Sequence, residues 1–582
     1  MTGRAASAGS WFVALPDTEA AIAVADLLRP EADNEIRHPS GRPFVLGRWG
    51  RAAAARGRDI HVVAIGEVEP DLRYVDRVAA GGTAGTAAGS HHLLVSTGGT
   101  VRVRGTASGL RKIFHADLGG VTVASDRTDV LARLTGAEPD PTRLALRLLS
   151  PGAPWPLVWQ SVRSGVVAVP PGHWLVLDSA RHERWWTPPE PELSLADAGV
   201  ALRDALDTAV AIRLQGKAKV ACDLSGLDSS SLFGLAVRGA PVVALTYQAD
   251  DPGDEDVAAA QYLVETCGTE HDVLPASAAP LPFQDLGHDF GLFDEPTWVS
   301  AYRARIGTAS ARAAAHHAEL RFAGHGGDEL LMPPPAWLAD IARRHPVRAA
   351  RLARRIQAKY RLPASALAAA VADRTSYSDW LATSLDQEQT KEWQVMSWGV
   401  PPSTPSWLTS DAVGLVRDAI GQVNSEPLAD ARGMHATLEL AHTGAAAARH
   451  VAQLGEADGM PVAVPFFDDK VLEACLAVRP DEAIDPRRYK PQLVAAMTGV
   501  LPPRTLHRTS KSEISMTVDR GWSSHRGQIL SLLDGSELGR LGLVDVAALR
   551  QICRGPYHAD TCGPVRQALE VEAWLRSAKG ER

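Results

Sequence analysis

The sequence predicts an α/β fold with a doubly wound parallel sheet in its C-terminal part. Short apolar segments at 220–224, 242–247 and 271–274 have the length and the β-branched content of buried strands. Helical stretches separate these segments, and strands that alternate with helices indicate a parallel sheet. Two glycine-rich loops follow residues 220–224 and 320–323, at strand ends where ligands bind in such sheets. These observations predict a nucleotide-type site at one edge of the sheet.

The first loop is SGLDSS, residues 225–230. A tight turn of glycine and hydroxyl residues between a strand and a helix gathers backbone N–H groups and the positive end of the helix, which suits a diphosphate. A carboxylate repels phosphate, so Asp228 fits this loop only if it holds Mg²⁺ that bridges to the phosphates. The lysine of a Walker loop does not follow. The loop therefore favours ATP cleavage with pyrophosphate as the leaving group, although Ser229 or Ser230 could simply cap the next helix.

The second loop is GHGGDE, residues 324–329, which brings another aspartate, Asp328, to a glycine-rich turn. Both loops follow strands of the same predicted sheet, so both lie at its carboxyl edge. Two carboxylates that converge on one phosphate site are what a Mg²⁺–ATP complex requires.

Together, SGLDSS and GHGGDELL resemble the ATP-pyrophosphatase core of the asparagine synthetase superfamily. The resemblance implies that Asp228 and Asp328 hold Mg²⁺. Leu227 departs from the superfamily's usual first motif, SGGxDSS, by replacing its second glycine. The residues that the resemblance implies for ATP and pyrophosphate binding are Ser225, Gly226, Asp228, Ser229, Ser230, Leu245, Thr246, Gly326 and Gly327.

The resemblance continues downstream of the two loops. Residues 462–469 (VAVPFFDD) resemble the strand and turn that flank the site in this superfamily. Residues 501–511 resemble the stretch whose lysine reaches the α-phosphate, which implies that Lys511 is catalytic. An ammonium at this place would stabilise charge that develops during adenylation and during collapse of the acyl-adenylate.

The N-terminal part resembles the glutamine amidotransferase domain of the same superfamily. Residues 121–126 and 169–177 resemble two of its strands, and residues 185–188 resemble the segment that closes it. Glutamine-dependent members carry a catalytic cysteine at residue 2, whereas this chain has Thr2. The resemblance implies a degenerate class II, α+β Ntn-type sandwich at 1–187, kept for packing or partner binding, followed by the ATP-pyrophosphatase domain with a helical C-terminal part at 195–582.

A synthetase of this kind without an ammonia source must use an amine that its substrate supplies. Residues 333–340, 405–409 and 541–545 resemble actinobacterial lasso peptide cyclases, which are macrolactam synthetases. The implied reaction adenylates an Asp or Glu side chain of a precursor peptide, and the peptide's α-amine then closes an isopeptide ring with release of AMP. His325 could be the base for this amine or only a hydrogen-bonding loop residue; Glu439, Glu456 and Asp458 are candidate acidic partners.

Two other functions stay open. One is a β-lactam synthetase or an ammonia-dependent asparagine synthetase-type ligase that acts on small molecules. The other is a binding protein that keeps the fold without catalysis, which the departure at Leu227 allows.

Composition restricts the partners. A net charge of −8 argues against a nucleic acid backbone, and neither a signal peptide nor a transmembrane run is visible, so we expect a cytoplasmic enzyme. The expected partners are the precursor peptide, a leader-peptide-binding protein and a leader peptidase. The basic segment 343–359 is either a solvated helix face or a docking surface for an acidic partner.

Overall fold

The computed structural model describes residues 9–68, 73–80, 84–251, 253–287, 292–387, 396–423, 425–508 and 514–580. These residues form two antiparallel sheets in the N-terminal part, and one parallel sheet with many helices in the C-terminal part. The strands are β1 (Trp11–Ala14), β2 (Asn34–Arg37), β3 (Pro43–Arg48), β4 (Ala52–Arg56), β5 (Ile60–Val68), β6 (Gly89–Thr97), β7 (Thr100–Arg104), β8 (Phe114–Leu118), β9 (Val121–Ser125), β10 (Val167–Ala168), β11 (His173–Val176), β12 (Arg181–Arg184), β13 (Val220–Asp223), β14 (Val242–Tyr247), β15 (Glu270–Leu274), β16 (Arg321–Phe322) and β17 (Val462–Ala463).

Helices cover most of the C-terminal part. The described α-helices are α1 (Ala20–Leu28), α2 (Arg73–Ala79), α3 (Thr128–Thr135), α4 (Pro141–Arg147), α5 (Leu195–Leu214), α6 (Leu227–Ala236), α7 (Asp256–Cys267), α8 (Val299–Ala315), α9 (Gly327–Leu331), α10 (Trp337–Arg344), α11 (Pro346–Tyr360), α12 (Ala364–Ala372), α13 (Tyr377–Thr383), α14 (Ser410–Gln422), α15 (Arg432–Ala457), α16 (Asp469–Leu476), α17 (Pro480–Ala483), α18 (Pro491–Met497), α19 (Pro503–Leu506), α20 (Ser515–Ser524), α21 (Arg526–Leu532), α22 (Glu537–Arg540), α23 (Val546–Arg554) and α24 (Ala559–Gly580).

The N-terminal sheets pack face to face. One has the strand order β10-β8-β9-β1-β3-β2 and the other β12-β11-β7-β6-β5-β4. Their inner faces share one apolar core, in which Phe12 and Phe44 of the first sheet meet Val63, Leu94 and Val103 of the second. Alternating inward side chains on two packed antiparallel sheets produce a sandwich, as the sequence predicted.

The C-terminal sheet is parallel, with the order β15-β14-β13-β16-β17. Winding therefore starts at β13, runs outwards to β15, and then reverses to β16 on the other side. The point of reversal lies between β13 and β16, the two strands that precede the glycine-rich loops. A crevice opens at such a switch point, and ligands bind there. The predicted doubly wound sheet is confirmed.

Buried polar contacts join the sandwich to the rest of the chain. Lys112 Nζ lies 2.7 Å from Glu295 Oε2, and both side chains are almost completely buried. The backbone N–H of Thr128 donates to Asp294 Oδ2 at 3.1 Å, and Arg449 forms an ion pair with the same aspartate at 2.5 Å. Each buried charge is thus matched by a counterion from a distant part of the sequence.

The basic segment 343–359 does not form one helix, because α10 ends at Arg344 and α11 begins at Pro346. Several of its charges are used within the fold. Arg348 pairs with Asp481 at 2.7 Å, and Arg355 pairs with Asp485 at 3.2 Å. This neutralisation favours the solvated-face interpretation over a docking surface.

Among the described residues, no helix is both long enough and apolar enough to cross a membrane.

Candidate active site

The first glycine-rich loop turns tightly from β13 into α6. Gly226 is the N-cap of α6, and the helix begins at Leu227. Ser229 Oγ accepts a hydrogen bond from the Ser225 backbone N–H and donates one to the Gly226 carbonyl, both at 3.0 Å. Leu227, at the position of the missing second glycine, is 7% exposed and packs into the core of the C-terminal part. Its side chain therefore points away from the loop.

The second loop packs directly on the first. A Cβ atom at Gly327 would collide with the Asp228 carboxyl group, and one at Gly324 would lie 3.0 Å from the Ser229 backbone nitrogen. Gly326 has φ +103°, and its N–H donates to Glu329 Oε2 at 3.1 Å. Only glycine allows this close approach and this backbone conformation, so the glycines of GHGGDE serve loop-to-loop packing.

Lys490 joins the two predicted metal-binding carboxylates. Its Nζ lies 2.5 Å from Asp228 Oδ2 and 2.6 Å from Asp328 Oδ1, and its side chain is fully buried. Burial lowers the pKa of Lys490, but the carboxylates of Asp228 and Asp328 outweigh it, and the pKa lies above the usual value. The ammonium is therefore charged at neutral pH, at the edge of the sheet where the two loops meet.

Sequence reasoning missed Lys490. It lies just before Pro491 and α18, with a left-handed backbone (φ +43°), and its local sequence carries no glycine-rich or spaced motif. The predicted catalytic residue Lys511 lies outside the described residues. The nearest described residue of that segment, Arg508, donates to the Ser225 carbonyl at 3.0 Å and pairs with Asp256. The stretch predicted to reach the phosphates therefore begins beside the first loop.

The donor set fits Mg²⁺. Carboxylate oxygens are the ligands that this hard cation prefers, and Asp228 and Asp328 already converge on one cationic group. Asp328 is half exposed, so one face of the pair is open to an arriving nucleotide. Among the described residues, no group of three or more His, Cys, Asp or Glu side chains is placed to bind a metal without such a nucleotide.

Leu245 and Thr246 lie at the end of β14, beside β13. The Leu224 N–H donates to the Leu245 carbonyl at 2.8 Å, and Thr246 Oγ1 donates to the Leu224 carbonyl at 3.0 Å. The Thr246 hydroxyl also lies 2.9 Å from His271 Nε2. These two predicted ATP-binding residues thus support the strand that leads into the first loop, and the Thr246 hydroxyl is used within the fold.

His325 lies in the second loop with its ring centroid 6.4 Å from that of Trp298. Burial lowers the pKa of His325, and the negative charges of Asp223 and Asp328 only partly offset this. The imidazole is therefore neutral at pH 7 and can accept a proton.

The three candidate acidic partners fall into two places on α15. Glu456 and Asp458 lie at its C-terminal end, where Glu456 Oε2 accepts from the Ser10 N–H at 3.3 Å. Glu439 lies about five turns earlier and faces a cavity that Trp298 also lines. Burial raises the pKa of Glu439 to about 7. Trp298 also packs near His325, and Arg321 interacts electrostatically with both His325 and Asp458, so Glu439 and Asp458 both stay candidates.

The family comparison agrees with this site. A model of the asparagine synthase family matches residues 201–576, which is more than half of the chain and includes both loops and Lys490. The chain belongs to the asparagine synthase family. Membership in this family supports ATP-dependent ligase chemistry and the use of ATP. The comparison with curated proteins gave no match.

Three solved structures resemble this protein at low sequence identity. NMN synthetase from Francisella tularensis is 20% identical over 24% of this chain and 58% of its own, with a TM-score of 0.17. The B. subtilis glutamine phosphoribosylpyrophosphate amidotransferase, complexed with ADP and GMP, is 11% identical over 54% of this chain and 80% of its own, with a TM-score of 0.19. An allosteric regulatory enzyme of purine biosynthesis is 10% identical over 48% and 77%, also at 0.19.

Proposed function

We propose that the protein is an AMP-forming, ATP-dependent carbon–nitrogen ligase that closes a macrolactam in a peptide, as lasso peptide cyclases do. The observation that carries the ligase chemistry is the convergence of Asp228, Asp328 and Lys490 at the switch point of the parallel sheet. The two carboxylates complement the positive charge of magnesium, and the buried ammonium complements the negative charge of the nucleotide phosphates.

The peptide substrate is inferred from the sequence. Thr2 replaces the cysteine that glutamine-dependent relatives need, so the amine must come from the substrate or from solution. The segments at 333–340, 405–409 and 541–545 that resemble lasso cyclases favour a peptide over a small molecule. In this proposal, the partners are the precursor peptide, a leader-peptide-binding protein and a leader peptidase, and the enzyme acts in the cytoplasm.

Each side chain of the site has a role in this reaction. The N–H groups at the start of α6 and the hydroxyls of Ser225 and Ser230 bind the pyrophosphate portion of ATP. The Ser229 hydroxyl, which bonds to Ser225 and Gly226, holds the loop in the conformation that allows this. Asp228 and Asp328 would hold magnesium, which supplies charge neutralisation for the phosphates. Lys490 stabilises negative charge on the α-phosphate when the substrate carboxylate attacks it and when AMP leaves. His325, neutral at pH 7, accepts the proton of the attacking amine or orients it.

A second function has one observation in its favour. The described cavities beside the second loop are small, with a volume of about 200 Å³ next to Trp298. A β-lactam synthetase or an asparagine synthetase-type ligase would bind a small amino acid there. A peptide substrate needs the cavity only for its activated side chain and its N-terminus, because the rest of the peptide can lie on the protein surface. The small volume therefore does not exclude a peptide.

The test is mass spectrometry of the full-length protein with Mg²⁺–ATP and a leader-free peptide that carries an internal Asp or Glu. Loss of one water from the peptide, matched by formation of one AMP, supports the macrolactam synthetase. AMP formed with free aspartate or another amino acid, but not with peptides, supports the small-molecule ligase. If no carboxylate yields AMP, the protein is a binding protein that keeps the fold.

A further inference from the structure

A cavity of about 200 Å³ lies behind Trp298, whose indole packs near His325 of the second loop. Three indoles, those of Trp155, Trp159 and Trp298, form much of its wall, and α15 forms another side. The same helix contacts the second loop, because a Cβ at Gly444 of α15 would approach Glu329 Oε1 to 2.6 Å. The Trp298 indole and α15 therefore connect the cavity to the second loop.

The cationic side chains of the cavity wall are neutralised. Lys112 and Arg147 both pair with Glu295, at 2.7 Å and 3.3 Å. Arg147 also donates to the Gln160 carbonyl at 3.1 Å. The cavity therefore has little positive charge to offer an anionic ligand.

Several other polar groups of the wall are acceptors. His442 Nε2 lies 3.1 Å from the Ala107 carbonyl, which can only accept, so Nε2 carries the proton and Nδ1 is an acceptor. Nδ1 has no hydrogen-bond partner among the described residues, and His442 is only 5% exposed. Burial also lowers the pKa of His442 to about 4, so the ring stays neutral. A buried acceptor without a protein partner can accept a hydrogen bond from a bound ligand or from water.

Two further acceptors line the same cavity. Gln567 donates through Nε2 to the Pro151 carbonyl at 2.7 Å, and its Oε1 is buried without a partner in the described part of the chain. Glu439 accepts a hydrogen bond from the backbone N–H of Trp155 at 3.1 Å, which leaves further lone pairs on its carboxyl group. Histidine, amide and carboxylate acceptors inside an indole-walled cavity suit a ligand that brings several N–H donors and a positive charge.

We propose that this cavity binds a primary ammonium group, and that it holds the amine which attacks the acyl-adenylate. The catalytic role of this amine rests on the proposed function, whereas the binding of an ammonium group in the cavity does not. The ammonium gives one proton to the Glu439 carboxylate. The free nitrogen then forms the C–N bond to the acyl carbon while the C–O bond to AMP breaks, and AMP departs with the electron pair of that bond. The second proton of the nitrogen passes to His325, which the proposed function makes the proton acceptor.

The test is saturation-transfer NMR on the full-length protein with n-butylammonium as the probe, and with butyrate and 1-butanol as probes of the same shape. We expect binding of butylammonium at least fivefold tighter than of butyrate or butanol at pH 8. Binding should weaken below pH 7, because Glu439 and Glu570, the two wall carboxyl groups whose pKa burial raises to about 7, then lose their charge. Equal binding of the three probes, or tighter binding of butyrate, would overturn the proposal.

Variants of the cavity residues test whether butylammonium binds in this cavity. Glu439→Gln keeps the shape of the side chain and should reduce butylammonium binding at least fivefold, whereas Glu265→Gln, on the exposed face of α7, should not change it. Gln567→Leu provides a second cavity variant that keeps Glu439, and it should also weaken binding. Unchanged binding in both cavity variants would overturn the assignment. Pyrophosphate exchange, measured separately, reports adenylation, so failure of the proposed function and failure of the amine site give different results.

Discussion

Lys490 and Asp228 form a buried ion pair with Nζ 2.5 Å from Oδ2, although 262 positions separate them in sequence. The pair forms because the loop after β13 places Asp228 at the edge of the sheet where α18 begins. Asp328, from the loop after β16, completes the group at 2.6 Å from the same Nζ.

Replacing Lys490 with methionine should reduce adenylation by about 10²–10³-fold, because it removes the ammonium that stabilises charge on the α-phosphate. ATP–pyrophosphate exchange with an Asp-containing peptide measures this step. Lys511→Met is the matched variant, since the sequence resemblance assigns that role to Lys511. If Lys511→Met abolishes exchange while Lys490→Met preserves it, Lys490 is only a structural counterion.

Asp228→Asn and Asp328→Asn should each abolish pyrophosphate release at physiological Mg²⁺, because each removes one of two carboxylate ligands that converge on the same place. High Mg²⁺ should partly rescue Asp328→Asn, whose carboxylate is the more exposed one. Glu270→Gln on β15 serves as a surface control. Retained pyrophosphate release in both aspartate variants would contradict the metal assignment.

His325→Gln should slow amide formation more than adenylation, because a proton acceptor is needed only in the second step. Burial lowers the pKa of His325, so the wild-type imidazole stays neutral down to a pH below its usual titration range. Protonation of His325 should therefore lower the rate of amide formation only below about pH 6.5, on the acid side of the fall that protonation of Glu439 causes near pH 7. His325→Gln should remove the lower of these two limbs of the profile. A profile that does not change in the variant would assign the base to another residue.

Gly327→Ala should impair nucleotide binding, because the added Cβ would collide with the Asp228 carboxyl group and displace it. Gly414→Ala is the matched control on α14, since a Cβ there meets no atom within 4 Å. Equilibrium binding of ATP with Mg²⁺, compared with thermal stability, separates a local effect from unfolding. Equal ATP affinity in the two variants would show that the contact between the loops is dispensable.

Arg213→Met should destabilise the protein by about 3–5 kcal/mol, because it leaves a buried charge without its partner. Arg213 forms two hydrogen bonds to Asp468, at 2.7 Å and 2.6 Å, and both side chains are almost completely buried. The double variant Arg213→Met with Asp468→Leu should recover most of the loss. Urea unfolding of the three proteins measures this, and a double variant no more stable than the single one would indicate that packing, not charge, is responsible.

Much of the C-terminal fold could be predicted from the sequence. The strand-to-helix alternation after Val220 and the two glycine-rich loops were sufficient, because parallel sheets place the ends of their strands at one edge. Lys490 could not be predicted, since its role depends on a long-range placement that no local pattern encodes. The roles of Thr246 and Leu227 likewise depended on packing: the Thr246 hydroxyl bonds to the backbone of the neighbouring strand, and Leu227 points into the core.

The buried contacts between the sandwich and the ligase region have a consequence for engineering. A fragment trimmed to residues 195–582 would keep Glu295 and Asp294 but would lose Lys112 and Thr128, their partners. Asp294 would keep Arg449, whereas Glu295 would lose Lys112, and the face that the sandwich covers in the intact chain would be exposed to water. A shortened catalyst built from this protein will therefore need polar replacements on that newly exposed face.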